Sequence, residues 1–395
     1  MVTIPKSWRV FKVADVAEVS RGASPRPIES YLTSNVNGVN WIKIGDAPRN
    51  GNRIGNTAEH ITPEGALRSV IVRAGDLILS NSMSFGRPYV LDINGCIHDG
   101  WLKLSEFSRS ADTEFLVYLL SSRAVTSQYE SLAAGSGVKN LNKEVVREVA
   151  LLLPQLAEQR AIAEVLAGFD EHLANLDELI AKKKNIRDGT LESLVSGEQR
   201  VGVFKYPWRE VPLDSIAHSR RESVGSELMS MDVELENIVP GEGRLVGDTG
   251  VRTASSFIFR TGDVLFGRLR PYLRKFWYAT NTGFRSGEIW ALVAKEEVDS
   301  KFLFHLVRTQ CFLDSAGKTM GTKMPRADWN LMKSQRFCIP HSLEEQRAIA
   351  EVLSGMDEEI SLLDEERAKI EALKLGAMDD LLTGRVRLPV EEEVA

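Results

Sequence analysis

The amino-acid sequence predicts an α+β protein made by internal duplication, in which two α+β domains alternate with two long helices in a pseudo-twofold repeat. Three observations carry that prediction. Residues 158–166 and 345–353 both read EQRAIAEVL, and the shared register, an offset of 187, continues without a gap to Gly197 and Gly384. Each copy keeps helical apolar spacing over about 42 residues, far beyond an ordinary globular helix. The intervening stretches carry short alternating apolar runs, the pattern of strands. A repeat of this kind sets the organisation before any single element is considered: a domain at 1–153, a helical repeat at 154–199, a second domain at 200–339, and a second helical repeat at 340–395 with an acidic tail.

In the first domain, Asn40, Trp41, Ile42, Lys43 and Ile44 alternate as a half-buried strand does, Leu77, Ile78 and Leu79 form a short apolar run, and 114–120 has helical character. The first helical repeat opens after Pro154 and shows an apolar seam at Phe169, Leu173, Leu176 and Ile180, then closes at Gly197, where a left-handed cap is expected. The second domain echoes the first faintly. Trp8 and Arg9 return as Trp208 and Arg209, 73–77 (RAGDL) as 260–264 (RTGDV), and Gly135 with Ser136 as Gly321 with Thr322. Its 263–266 run reads as a strand. The last repeat follows Pro340, places Ser342 and Glu345 in capping-box spacing, continues its seam through Met356, Ile360, Leu363 and Ile370, and ends at Gly384. A helix of this length spans roughly 60 Å. A seam so narrow needs a partner helix, and the other copy is the natural one. Gly189 and Gly376, inside the later halves, leave the continuity of both helices open.

The chain has 395 residues, a formal net charge of −6 and three widely separated cysteines, Cys96, Cys311 and Cys338. No CxxC pair occurs, so neither a zinc site nor a disulfide framework is expected, and a reducing cytoplasm fits best. No 18-residue apolar run and no leader-like segment appears. The negative charge is concentrated: 156–197 carries −3 and 343–384 carries −8, so the remainder is at +5. The two α+β domains are therefore moderately basic, as a phosphate-binding surface requires.

Enzymatic constellations are missing. Gly317, Lys318 and Thr319 mimic the end of a P-loop, but Phe312 stands where the first glycine belongs. There is no HExxH, GxSxG or strand-linked GxGxxG, and no DPPY or NPPY of the kind that holds a target adenine. The six histidines, His60, His98, His172, His218, His305 and His341, are scattered singly. No catalytic residue and no metal ligand is assigned.

Residues suited to DNA are present. The stretch 267–277 (GRLRPYLRKFW) holds Arg268, Arg270, Arg274 and Lys275 with three aromatics and no acid. Arginine pairs bidentately with guanine, and both cations neutralise phosphates; a strand with a solvated basic face is the alternative. The corresponding stretch of the first domain is polar, with Asn81, Ser82 and Arg87, and asparagine reads adenine, so the two domains would prefer different bases. Arg21 and Lys43, and Arg220 and Arg221, are candidate phosphate clamps. The glycine-containing loops before each helix add Lys139 and Asn140, and Lys323 and Arg326. On the helices, Glu158, Gln159, Arg160 and Glu164 recur as Glu345, Gln346, Arg347 and Glu351. Taken as solvent-facing, their identity points to the same partner docked twice; an undiverged duplication is the alternative, opposed by the much weaker likeness of the domains.

The pattern resembles the specificity subunits of type I restriction-modification systems over the whole chain. Its most specific element is P-x(1-2)-L-x-E-Q-x-x-I-A-x-x-L, present at 154–166 and 340–353, supported by Gly75-Asp76 and Gly262-Asp263 before apolar strands. The resemblance implies two target-recognition domains, each reading one half of a split, asymmetric DNA site, and helices packed as an antiparallel coiled coil that sets the gap. It also implies two methyltransferase subunits on the helical frame and motor-nuclease subunits beyond them. S-adenosylmethionine, ATP and magnesium would act on those partners, with no cofactor on this chain. A coiled-coil scaffold with non-specific DNA binding is the competing class.

Overall fold

The structure is a computed structural model and describes residues 5–48, 51–81, 86–107, 109, 111–133, 141–223, 231–250, 257–318 and 324–389. It divides into two compact units, Met1–Asp177 with Glu366–Ala395, and Glu178–Glu365. Each unit therefore takes one α+β body together with half of each long helix.

In the first unit a five-stranded sheet, Glu18–Arg21, Trp101–Ser105, Leu77–Ser80, Pro88–Leu91 and Arg53–Ile54 in spatial order, lies between two layers. Successive strand side chains point to opposite faces, so Leu77 and Leu79 enter a core with helix Thr113–Ser121 and the long helices, whereas Ile78 enters a second core with Trp101 of its own sheet and with Ile42 and Ile97 of a second five-stranded sheet. A strand buried on both faces is apolar on both, which is why 77–79 does not alternate. The second unit repeats the plan with fewer strands. Leu265 faces Phe259, Trp277 and Ile289, while Val264 and Phe266 face helix Ser300–Arg308. A two-stranded antiparallel clasp closes each body, Arg9–Lys12 on Ala150–Leu153 and Arg209–Pro212 on Arg336–Ile339.

The long helices run Leu156–Ser196 and Leu343–Leu381, uninterrupted at Gly189 and Gly376. Both end as expected, Gly197 at φ +80° and Gly384 at φ +71°. Their pairing is antiparallel within each unit: Lys374 meets Asp170 and Arg367 meets Asp177 in the first, and Lys183 meets Glu359 and Arg187 meets Asp357 in the second. Leu176, Ile180 and Ile360 of the predicted seam are buried; Phe169, Leu173, Met356, Leu363 and Ile370 are half-buried. Ser342 caps the second helix by accepting the Glu345 N–H at 3.2 Å. The Glu345 side chain does not close the predicted box, because it is used elsewhere. No helix among the described residues is long and apolar enough to cross a membrane.

Candidate nucleic-acid interface

The repeated string does something different from what its sequence suggested. Glu158, Gln159, Glu345 and Gln346 are at most 2% exposed, so they are not solvent-facing. A buried carboxylate must be paired and hydrogen-bonded. Glu158 accepts from the Trp8 indole N–H at 3.1 Å and from the Arg387 guanidinium; Glu345 accepts from the Trp208 indole N–H at 3.1 Å and from Arg200 Nε and Nη2, both at 2.8 Å. Gln159 donates to the Pro154 carbonyl and accepts the Asp112 N–H at 2.9 Å each, and Gln346 does the same with Pro340 (3.1 Å) and Asp299 (2.8 Å). Asp112 and Asp299 are the N-caps of helices Thr113–Ser121 and Ser300–Arg308. Internal packing thus accounts for the recurrence of these four residues: they fasten each α+β body to the helix frame.

The outer part of the string remains at the surface. Arg160, Glu164, Gly168 and Glu171, spaced 4, 4 and 3, form one exposed stripe of the first helix, and Arg347, Glu351, Gly355 and Glu358 form the same stripe of the second. In the second unit this stripe borders a cleft of about 670 Å³ that also takes in Asp299 and Lys301. Gly168 and Gly355 have open space where a side chain would stand.

Most predicted DNA contacts that fall on described residues gather at one rim of each sheet. Antiparallel pairing brings the C-terminal ends of Glu18–Arg21 and Leu77–Ser80 beside the N-terminal end of Trp101–Ser105. The turn there is organised by Asp99, whose carbonyl accepts from Arg21 Nε (3.2 Å) and the Asn81 amide (2.7 Å), and whose carboxylate takes the Ser24 hydroxyl (2.8 Å) and Arg26 (3.4 Å). The Ser24 bond, working against desolvation, holds the Asp99 carboxyl below its ordinary range. Burial pushes the neighbouring His98 imidazole below its ordinary value. Gly22 is required in this turn, since a Cβ there would come within 2.1 Å of the His98 carbonyl oxygen, and a Cβ on Gly100 would displace the His98 ring. Asn81 is 6% exposed, and its amide is spent on the turn rather than presented to a base. Arg87 reaches the Gly51 carbonyl at 3.0 Å, and Lys43, off this rim, is paired with Glu59.

The second domain repeats the rim. Arg268 occupies the position of Asn81: its N–H meets the Glu288 carbonyl and its carbonyl accepts from Ala327, both at 2.8 Å, just as Asn81 meets Gly100 (3.0 Å) and Leu141 (2.9 Å). Arg326 is bidentate to Glu288 at 3.0 Å, Arg220 is tied to Asp263 at 2.7 and 2.9 Å, Arg274 donates to the Arg308 carbonyl at 3.3 Å, and Lys275 donates to the Leu235 carbonyl. Arg221 and Arg270 are exposed, and their guanidinium groups have no polar partner among the described residues. Ser82, Lys139, Asn140 and Lys323 lie outside the described residues. Sequence reasoning missed the carboxylates Asp99 and Glu288 that shape both rims. It also missed Arg200 and Arg387, although their own offset of 187 was a legible signal.

Comparison with known proteins gives a consistent result. The family model described as the type I restriction modification DNA specificity domain matches residues 5–185 and 236–372. The type I restriction enzyme MjaVIII specificity subunit of Methanocaldococcus jannaschii is 23% identical over 416 aligned positions, covering 98% of this chain and 94% of that one. The EcoDI specificity subunit of Escherichia coli is 24% identical over 62% of this chain and 64% of its own. Among solved structures, the HsdS subunit of Thermoanaerobacter tengcongensis shares the fold at TM-score 0.51 and 18% identity, covering 97% of this chain and 98% of that one. A chain from a type I restriction-modification system solved for its complex assembly and conformational transition matches at TM-score 0.62 and 18% identity, covering 97% and 100%.

Proposed function

Since the chain belongs to the type I restriction-modification DNA specificity family, through which such a complex recognises DNA sequence, we propose that its two α+β bodies, 1–153 and 200–339, each read one half of a bipartite, asymmetric site. The helical repeats, 154–199 and 340–395, set the gap between the halves. The observation that carries this reading is the doubled fastening: Trp8–Glu158–Arg387 and Trp208–Glu345–Arg200 tie two bodies with different rim side chains to one repeated frame by the same contacts. Variable readers on a constant frame are what a split, non-palindromic target requires.

The chain contributes no catalytic group and binds no cofactor; adenine methylation with S-adenosylmethionine, and cleavage with ATP and magnesium, belong to its methyltransferase and motor-nuclease partners in the cytoplasm. Two methyltransferase subunits dock on the exposed stripes, one through Arg160 and Glu164, the other through Arg347 and Glu351. At the rims, Arg21, Arg87, Arg221, Arg268, Arg270 and Arg326 face the duplex, Arg274 and Lys275 steady the turn through their carbonyl bonds, and Lys139, Asn140, Lys323 and Ser82 add further DNA contacts. Cations already held by carboxylates, such as Arg326 on Glu288, are oriented before DNA arrives, which lowers the ordering cost of binding. Carboxylate-tied Lys43 and Arg220, and the buried Asn81, support the rims from within.

Adenine-methylation mapping in cells expressing this chain with its methyltransferase subunit tests the reading. A split motif present only with this chain is the expected result. An unchanged methylation pattern despite a stable complex would overturn it in favour of a scaffold with sequence-indifferent DNA binding.

A further inference from the structure

The second rim carries a feature that DNA-backbone binding does not need. Three non-glycine residues among those described have positive φ, and two of them, Arg270 (φ 51°) and Arg274 (φ 53°), bracket a single turn, Pro271–Leu273. A left-handed backbone is strained for a residue with a side chain, and such strain persists only where surrounding structure imposes it. Here the imposition is visible. Arg270 N–H is bonded to the Pro325 carbonyl, Gly241 N–H to the Arg274 carbonyl and Gly267 N–H to the Lys275 carbonyl, all at 2.8 Å, and Pro271 is buried. What the strained turn displays is Tyr272, 64% exposed, and Leu273, 37% exposed, while Phe276 and Trp277 just beyond are buried in the two cores. Arg270, two residues before Tyr272, is exposed, and its guanidinium has no polar partner among the described residues. A cleft of about 510 Å³ at the foot of the ring, lined in part by Arg274, Gln310, Asp314 and Lys318, leaves room for a backbone strand.

We propose that residues 270–274 form a wedge that enters the DNA duplex at the half-site read by 200–339. The Tyr272 ring packs against a partly unstacked base step and Arg270 takes the adjacent phosphate. The inference rests on the reading of this domain as a DNA reader and adds deformation to it: an aromatic on a rigid turn flanked by cations stacks on bases whatever their edges offer, and the bend it causes is read as sequence-dependent stiffness. The first domain's matching stretch ends in Arg87 and lacks the RPYLR sequence, so the wedge acts on one half-site only.

The test uses the chain in complex with its methyltransferase subunits, and target duplexes carrying 2-aminopurine at successive positions of this half-site. Wild-type binding should raise fluorescence at one step. Tyr272→Phe should keep the rise, whereas Tyr272→Ala should abolish it and weaken specific binding about tenfold with an unchanged salt slope. Arg270→Gln should keep the rise and reduce the salt slope by about one. Specific binding by the wild type without a rise at any position, or a rise that survives Tyr272→Ala, overturns the wedge alone. Failure of the wild-type complex to prefer any duplex overturns the underlying reading with it.

Discussion

Asp357 is where the frame of the second unit is most exposed to perturbation. Its carboxylate receives Arg308, whose side chain is 2% exposed and sits over the rings of Phe276 and Phe304, and Arg187, whose side chain is 7% exposed. The equivalent Asp170 in the first unit receives Lys374 and the Tyr118 hydroxyl at 2.8 Å, but is itself 42% exposed. Asp357→Ala leaves the buried Arg308 guanidinium without its carboxylate, held over two aromatic rings where it cannot turn to water, and leaves Arg187 with Asp188 alone. Breaking such a pair costs about 3–5 kcal/mol, which for a unit the size of Glu178–Glu365 lowers its Tm by roughly 6–20 °C. Asp170→Ala removes a solvent-screened partner and a phenol bond, worth about 1 kcal/mol. Thermal unfolding of the full chain measures both, and hydrogen exchange localises the loss, which should fall on 300–308 and 349–360 for Asp357→Ala. The pH dependence supplies a second check. Desolvation raises the Asp357 carboxyl, but the Arg308 bond and the two guanidinium charges outweigh it, and the net pKa is lowered. A lowered carboxyl stabilises above its unfolded value of about 3.8 and loses that contribution as pH falls through the folded value. The gap between wild type and Asp357→Ala should therefore close only in strong acid. An Asp357→Ala shift no larger than that of Asp170→Ala would refute the reasoning.

Other consequences follow from the same contacts. His305, buried beside Arg308, is held down to about pKa 3, chiefly by burial; the unfolded chain protonates first, so acid destabilises between about pH 6.5 and 3 by up to about 1.4 kcal/mol per pH unit. His305→Leu should flatten that window in chemical-denaturation curves; an unchanged slope would contradict it. Glu345→Gln keeps an acceptor for Trp208 but loses the charge facing Arg200, costing about 1.5–3 kcal/mol, and should red-shift tryptophan emission as Trp208 loosens, whereas an exposed substitution such as Glu351→Gln should leave stability and emission alone. Lengthening both helices by seven residues, two turns, should widen the unmethylated gap of the target and leave each half-site unchanged; altered half-sites with an unaltered gap would sink the spacer role.

Much of this protein is written in its sequence. The offset of 187, the 3.6-residue spacing and the two capping glycines are local or strictly periodic, so they specify the helices, their ends and the duplication without reference to distant residues. The predicted strands at Leu77 and Val264 follow likewise from short apolar runs. Side-chain destination is not local. Glu158 and Arg160 lie two residues apart on one helix, and nothing in their chemistry tells that one is 2% exposed while the other's side chain is 63% exposed. That depended on Trp8, 150 residues away, arriving with an indole N–H, and on Arg387 arriving from beyond the other helix. A buried charge is tolerable only when its partners are brought to it, and bringing them is the work of the tertiary fold. The same holds at the rims. Composition alone picked out 267–277 as basic, but only the folded chain decides that Lys275 and Arg274 turn inward to carbonyls, that Glu288 claims Arg326, and that the turn at Arg270 is held in a strained form which sets Tyr272 in solvent.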